Sequence, residues 1–327
     1  MTDIMRKTDF FESRSLIFLL IGLTVVMASS LAPVAYADDP GAIPIDGMLE
    51  DMQDTKVAVL EWPGALLGSM EGMLEYLGVQ YGVVSSQDIR NGALENYDIL
   101  ICPGGSGSPL NGLGSMGADK VQDFVRRGGG YLGICAGALY ASDYFVWQAV
   151  PSMEPPFDED IVMGMNLSFD LFQGVGYFPI DDISVTTAMT QINFDPHPVT
   201  ENLPDHMHIL YAQGPHLQPY DGTNVTIVGT YDATGEPAMV ALEFGRGKVF
   251  LSGVHPEYEL DSIRDSAPSD PTLADEGSDW LLVVGALKWL VPEDGIESPD
   301  PSTPSGNYGL IVAVVIIMLV AGRAHLA

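Results

Sequence analysis

The stretch YLGICAG at residues 131–137 decides the fold of this chain. Its apolar start is typical of a short buried strand, and a helical pattern follows Gly137. Small residues on both sides of Cys135 suit a tight turn from strand to helix, because larger side chains would collide there. Such a turn places the sulfur at the amino end of a helix, which favours a thiolate. We therefore interpret Cys135 as a candidate nucleophile; a buried, inert cysteine is the alternative.

Outward from this turn, short β-rich apolar runs alternate with helical patterns across residues 55–290. This alternation predicts an α/β fold: a three-layer, mostly parallel, flavodoxin-like sheet with helices on both faces. Residues 145–181 interrupt the pattern with Pro, Gly, Met and aromatic residues, and we interpret them as an insertion or lid. The expected strands are residues 56–60, 81–84, 97–102, 131–134, 183–186, 207–211, 225–231, 238–244 and 248–252, and the expected helices are residues 66–77, 118–127 and 280–290.

A second motif, VHPE at residues 254–257, directly follows an apolar strand. A histidine just beyond the carboxyl end of a strand reaches the crevice where open α/β sheets bind ligands. Glu257 can orient the ring of His255 and stabilise its protonated form, so these residues and Cys135 predict a catalytic triad. A surface loop and half of a metal site are the alternatives. A metal is disfavoured because the other histidines are scattered along the chain.

A third motif, PGGSG at residues 103–107, also follows an expected strand. Glycines let the backbone approach a substrate carbonyl closely, so amides here and at the residue after the nucleophile could bind an oxyanion. The candidate oxyanion or substrate-binding residues are Gly104, Gly105, Ser106 and Ala136. A flexible turn is the alternative.

The order of these motifs resembles the class I glutamine amidotransferase-like superfamily. The matching stretches are PGG at 103–105, GICAGA at 133–138 and SGVHPE at 252–257. In that superfamily the cysteine, histidine and glutamate form the triad. HPVT at 197–200 and YAQGP at 211–215 further resemble the branch named after the amino-terminal region of biotin-protein ligases. The resemblance implies the superfamily's three-layer fold and a cysteine-dependent reaction at an amide.

Two functions follow from this pattern as hypotheses. The first is a cysteine hydrolase that acts on a small-molecule or peptide amide through Cys135, His255 and Glu257, with no cofactor and no metal. The second is a non-catalytic domain that keeps the fold and binds a ligand or peptide in the crevice. A disulfide between Cys102 and Cys135 would mask the nucleophile and is a third alternative.

The two ends of the chain predict export and attachment to a membrane. Residues 1–37 have basic residues, then an apolar run, then Ala-Tyr-Ala before Asp38, as in a cleaved signal peptide; an uncleaved signal anchor is the alternative. Residues 38–54 are expected to be a short linker and 55–292 the domain. Residues 293–307 are rich in Pro, Ser and acidic residues and predict a stalk, and 308–323 predict a transmembrane or sorting segment. We expect the domain at the cell membrane, facing the extracellular side.

The charge of the chain limits its partners. Its 44 acidic residues outnumber 13 basic ones and give a formal net charge of −31. A phosphate backbone would be repelled by this charge, so nucleic acid is excluded as an expected partner. With two cysteines the chain is not a disulfide-built scaffold, and its core must supply the stability.

Overall fold

The computed structural model of this chain describes residues 52–147, 168–180, 187–259, 278–293 and 295–299, together with Leu49 and the backbone of residues 161–164. The predicted signal peptide, the predicted membrane segment and the strand expected at 183–186 lie outside these residues. Within the described ranges, no helix is long and apolar enough to cross a bilayer.

The described residues form thirteen strands, five α-helices and one short 3-10 helix at Ala93–Asn96. The strands are β1 (Lys56–Glu61), β2 (Gln80–Ser85), β3 (Ile99–Cys102), β4 (Gly130–Ile134), β5 (Ser142–Trp147), β6 (Ile161–Gly164), β7 (Phe172–Phe178), β8 (Ala188–Phe194), β9 (His206–Tyr211), β10 (His216–Pro219), β11 (Val225–Tyr231), β12 (Pro237–Phe244) and β13 (Gly247–Ser252). The helices are α1 (Leu67–Tyr76), α2 (Ser86–Arg90), α3 (Leu110–Arg126), α4 (Ala136–Ala141) and α5 (Trp280–Leu290).

A nine-stranded sheet forms the centre of the domain, in the order β2-β1-β3-β4-β13-β12-β11-β8-β9. The first five strands pair in parallel, and the pairs from β13 to β9 are antiparallel. The parallel half carries the strand-helix alternation that the sequence predicts. The predicted α/β class is therefore confirmed, with an antiparallel extension on one side of the parallel strands.

Alternate residues of the central strands face two separate cores. In β1, Val57 and Val59 are buried in one core, while Ala58 and Leu60 are buried in the other. The first core also contains apolar side chains of α1 and α5, and the second contains those of α3. Strands buried on both faces read as continuous apolar runs, which is why β1 and β3 could be recognised in the sequence. Helices thus cover both faces of the sheet, as expected.

A smaller sheet, in the order β10-β7-β5-β6, contains most of the described part of the expected insertion. Its strand β5 begins directly after α4, pairs in parallel with β7, and pairs antiparallel with β6. The described part of residues 145–181 is therefore not part of the central sheet. It pairs with β10, a four-residue strand that the sequence did not indicate.

Helix α3 begins at Leu110, eight residues before the expected start, and is kinked at Gly114, where φ is +59°. Glycines at 112, 114 and 117 weaken the helical pattern in the sequence. In the structure, Gly112 allows a close approach to α2, since a Cβ there would lie 2.6 Å from the Ser86 hydroxyl oxygen. Of these glycines, Gly112 thus serves the packing of α3 against α2.

The registers of the parallel strands bring three chain segments to one edge of the sheet. Cys102, the last residue of β3, pairs with Gly133 of β4. Ser252, the last residue of β13, pairs with Ile134 of β4. Residues 103–107, Cys135 and His255 therefore follow the carboxyl ends of three adjacent strands, where open α/β sheets bind ligands.

Candidate active site

The turn at Cys135 has an unusual backbone conformation. Cys135 has φ +51° and ψ −105° and lies directly before α4. Its N–H donates to the Ser252 carbonyl at 2.7 Å, and its carbonyl accepts from the Leu139 N–H at 2.9 Å. The next turn is equally tight, because a Cβ on Gly137 would lie 1.9 Å from the Cys102 carbonyl oxygen. A non-glycine residue at positive φ is strained, and such strain is concentrated at functional sites.

His255 and Glu257 form a buried pair beyond β13. Both residues are fully buried, and His255 Nδ1 lies 2.8 Å from Glu257 Oε1. The backbone N–H of His255 donates to the Leu210 carbonyl at 2.8 Å. The indole Nε1 of Trp280 donates to the backbone carbonyl of Glu257 at 3.1 Å. The backbone of each partner is therefore fixed by a separate hydrogen bond, so the imidazole is held in one orientation.

The imidazole and the cysteine meet around Gly104. A Cβ on Gly104 would lie 2.5 Å from His255 Cε1 and 3.2 Å from Cys135 Cβ. The three predicted strand ends therefore converge at one point, and only glycine leaves room for the other two side chains. Among the described residues, buried His255 Nε2 has no hydrogen-bond partner.

The surroundings of His255 shift its proton affinity. Burial alone would lower its pKa, but the Glu257 carboxylate and the Cys135 sulfur outweigh burial and hold the pKa well above its usual value. A raised pKa means that the ring carries its proton at neutral pH. A protonated imidazole beside a thiol favours the thiolate, which is the reactive form of cysteine.

The four candidate oxyanion and substrate-binding residues differ in what their backbone can donate. The Ser106 N–H donates to the Gly64 carbonyl at 3.0 Å and is therefore committed to a bridge between the two loops. Ala136 is the first residue of α4, so its N–H has no partner within the helix. Gly104 is the contact point described above. Of the four, Ser106 is thus the one whose amide is engaged in a described hydrogen bond, and the amides of Gly104, Gly105 and Ala136 stay candidate oxyanion donors.

The loop between β9 and β10 contributes a group that the motifs did not single out. The Cys135 sulfur lies 3.9 Å from the Ala212 carbonyl oxygen, toward which an S–H can donate. Tyr231 holds this loop, because its hydroxyl donates to the Pro215 carbonyl at 2.9 Å. Gly214 is in contact with the strand end that carries His255, since a Cβ on it would lie 1.8 Å from the Gly253 oxygen. The YAQGP stretch was the only signal of this loop in the sequence.

The two cysteines are free thiols and differ in environment. Cys102 is fully buried, and burial raises the pKa of its thiol to about 12. Cys135 is 9% exposed. We therefore expect iodoacetamide to modify Cys135 in the native protein and Cys102 only after unfolding, as mapped by peptide mass analysis. A non-reduced protein lighter by two hydrogens, with neither cysteine modified, would instead show a disulfide.

The described residues form an α/β fold with a largely parallel central sheet, and three of its strand ends converge at the candidate site. A family model described as "Biotin-protein ligase, N terminal" matches residues 65–279 of the 327. The chain belongs to this family. The resemblance noted in the motifs is therefore confirmed, and the matched range contains all three members of the predicted triad.

Two curated relatives and one solved structure illustrate the similarity. The biotin-protein ligase of Schizosaccharomyces pombe is 27% identical over 194 residues, which cover 56% of this chain and 28% of the ligase. An uncharacterised Chlamydia muridarum protein is 29% identical over 168 residues, covering 50% of this chain and 62% of that protein. The chain thus spans less than two thirds of either relative. A glutamine amidotransferase crystal structure aligns with a TM-score of 0.46 and 19% identity, covering 70% of this chain and 98% of that chain.

Proposed function

We propose that this domain is a cysteine-dependent hydrolase that acts on a small-molecule or peptide amide. Cys135 is the nucleophile, His255 transfers protons and Glu257 orients His255. The observation that carries the proposal is the buried His255–Glu257 contact of 2.8 Å, whose imidazole meets Cys135 around Gly104. Nucleophile, base and orienting carboxylate in this relation are the parts that a triad needs.

The reaction follows from these positions. The Cys135 thiolate attacks the amide carbon, and the resulting oxyanion accepts hydrogen bonds from the amides of Gly105 and Ala136. Protonated His255 gives its proton to the amine as the C–N bond breaks, leaving a thioester on the sulfur. Neutral His255 then takes a proton from water, which attacks the thioester and releases the carboxylic acid and the thiol. The Glu257 carboxylate stabilises the imidazole ring whenever the ring is protonated.

A non-catalytic ligand- or peptide-binding domain is the second candidate. The observation that favours it is the low exposure of the site: Cys135 is 9% exposed and His255 is fully buried. A binder would hold its ligand in the crevice without turnover. Its affinity would also be unchanged by Cys135→Ser, whereas the hydrolase would lose all turnover in that variant.

We place the domain outside the cell, at the membrane, on the basis of the sequence. Residues 1–37 have the pattern of a signal peptide, and residues 308–323 have that of an apolar anchor or sorting segment. Both lie outside the described residues. The net charge of −31 supports a small-molecule or peptide partner over nucleic acid.

The decisive test compares thiol reactivity with turnover. We expect Cys135 to react with iodoacetamide at pH 7 at least about tenfold faster than a free thiol, because its neighbour His255 favours the thiolate. The same protein is then incubated with a panel of primary amides, including glutamine, and with short peptides, and the released amine is measured. Cys135→Ser is the matched control. If Cys135 reacts no faster than a free thiol, the hydrolase proposal is wrong. If it is alkylated fast but no amine is released, the non-catalytic binding domain is favoured.

A further inference from the structure

Several basic side chains lie at the amino ends of β4 and β13, the opposite end of these strands from the candidate site. The chain has 13 basic against 44 acidic residues, yet Arg127, Arg246 and Lys248 all contact one short acidic segment. Arg127 caps the end of α3, and Arg246 and Lys248 flank the start of β13. We call these three residues the basic cluster. They meet Glu293 and Glu297 of the short acidic segment 293–297, which follows α5 and opens the predicted stalk.

Each residue of the basic cluster makes its own contact with this segment. Lys248 Nζ lies 2.6 Å from Glu293 Oε1, and Arg246 pairs with the carboxylate of Glu297. Arg127 donates from its guanidinium to the Glu297 carbonyl, and its own carbonyl accepts from the Glu297 N–H at 3.0 Å. The segment is thus held by main-chain and side-chain contacts together.

Three further observations support a fitted contact. The segment passes directly over Gly128, where a Cβ would lie 3.2 Å from the Gly295 carbonyl oxygen. Ile296 is half-buried and packs against the core on the α3 side of the sheet. The Lys248 ammonium also lowers the pKa of Glu293. An exposed ion pair alone contributes little, so the backbone hydrogen bonds and Ile296 explain why the acidic side chains stay at this place.

We propose that the basic cluster is a binding site for the acidic segment 293–297 and fixes where the chain leaves the domain. That exit lies where β4 and β13 begin, whereas Cys135 and His255 follow the ends of the same two strands. Strands of five and six residues are about 17–20 Å long. The tail therefore departs from the side of the domain that faces away from the candidate site.

This placement sets an orientation at the membrane, a step that rests on the proposed anchor at residues 308–323. Residues 298–307 lie between the docked segment and the anchor and can span at most about 35 Å when fully extended. The side of the domain that carries the basic cluster is thereby kept near the bilayer. The candidate site then lies on the side of the domain that faces away from the bilayer.

The test measures hydrogen exchange of residues 293–299 in the full chain in detergent micelles. We expect the peptide that contains the Glu297 amide to exchange slowly at low salt. In Arg246→Glu/Lys248→Glu, repulsion should speed that exchange by about tenfold or more. Adding Glu293→Lys/Glu297→Lys to this variant reverses both partners and should restore the protection. Arg90→Glu/Lys120→Glu carries the same net charge change away from the segment and should exchange as the unchanged protein does.

Three results would overturn the proposal: an unprotected segment in the unchanged protein, protection that survives the charge reversal, or equal loss in the Arg90/Lys120 control. Protection of β4 in the same spectra reports whether each variant is folded, and the charge-swapped protein provides a folded reference if the reversal alone unfolds. Cys135 alkylation should be equal in all of them. Failure of the docking and failure of the proposed chemistry are therefore told apart.

Discussion

Replacing Glu257 by glutamine is expected to slow alkylation of Cys135 at pH 7 by about tenfold or more. The Glu257 carboxylate is a main cause of the raised pKa of His255, and burial acts in the opposite direction. Glutamine has nearly the same shape but no charge, so burial is opposed by less negative charge and the pKa of the ring falls. A neutral imidazole no longer favours the thiolate, and amide turnover should fall with it.

The pH profile separates this explanation from a general loss of structure. With the pKa of His255 raised above its usual value, the ring of the unchanged protein keeps its proton to a higher pH than the ring of Glu257→Gln. Alkylation of Cys135 should therefore depend less steeply on pH near neutrality in the unchanged protein than in Glu257→Gln. Glu201→Gln, at an exposed carboxylate, is the control. Identical profiles for Glu257→Gln and the unchanged protein would contradict the assigned role of Glu257.

Replacing Gly104 by alanine is expected to disable the site and lower stability. The added methyl group would lie 2.5 Å from His255 Cε1 and 3.2 Å from Cys135 Cβ, and His255 is fully buried and fixed by its backbone contact to Leu210. The ring must therefore shift away from the sulfur. Displacement of a catalytic group by about 1 Å costs about 100-fold in rate, and overpacking a buried site costs about 1–3 kcal/mol.

Gly68→Ala is the matched control for this substitution. Gly68 lies in α1, and a Cβ there would meet nothing within 4 Å. Alanine stabilises a helix relative to glycine by about 0.5–1 kcal/mol, so thermal unfolding should shift slightly upward with alkylation unchanged. If Gly104→Ala alkylates and unfolds as the unchanged protein does, the close contact between Gly104 and the imidazole is wrong.

The parallel half of the sheet could be predicted because its strands carry local signals. The strands β3 and β4 are apolar runs ended by glycine-rich or small-residue turns, and β13 is followed by the histidine motif. The smaller sheet could not be predicted in the same way. Its strand β10 is four residues long, ends in Pro219 and depends on pairing with β7, whose paired residues lie 39 to 45 positions earlier. A strand of this kind is defined by its partner and leaves little trace in its own sequence.

In the candidate site, too, some features could be predicted from the sequence and others could not. Cys135, His255 and Glu257 could be selected because each follows a recognisable strand or motif. The commitment of the Ser106 amide to Gly64 could not, because it depends on a contact between loops that are forty residues apart. The approach of the Ala212 carbonyl to the sulfur likewise depends on how the β9–β10 loop folds back over Gly253. Residue types can be selected from sequence, while the use of backbone groups is decided by tertiary contacts.

The position of β13 has a consequence for how the molecule assembles. This strand is late in the chain, yet it lies between β4 and β12 and joins the two halves of the sheet. Until it arrives, β4 has a bare edge of unpaired amides and carbonyls, and nascent chains that stop short of residue 247 would be prone to associate through it. Closing this gap brings together residues more than a hundred positions apart, which is a slow step in folding. Cys135 thus gains His255 as its neighbour only after residue 255 has been synthesised.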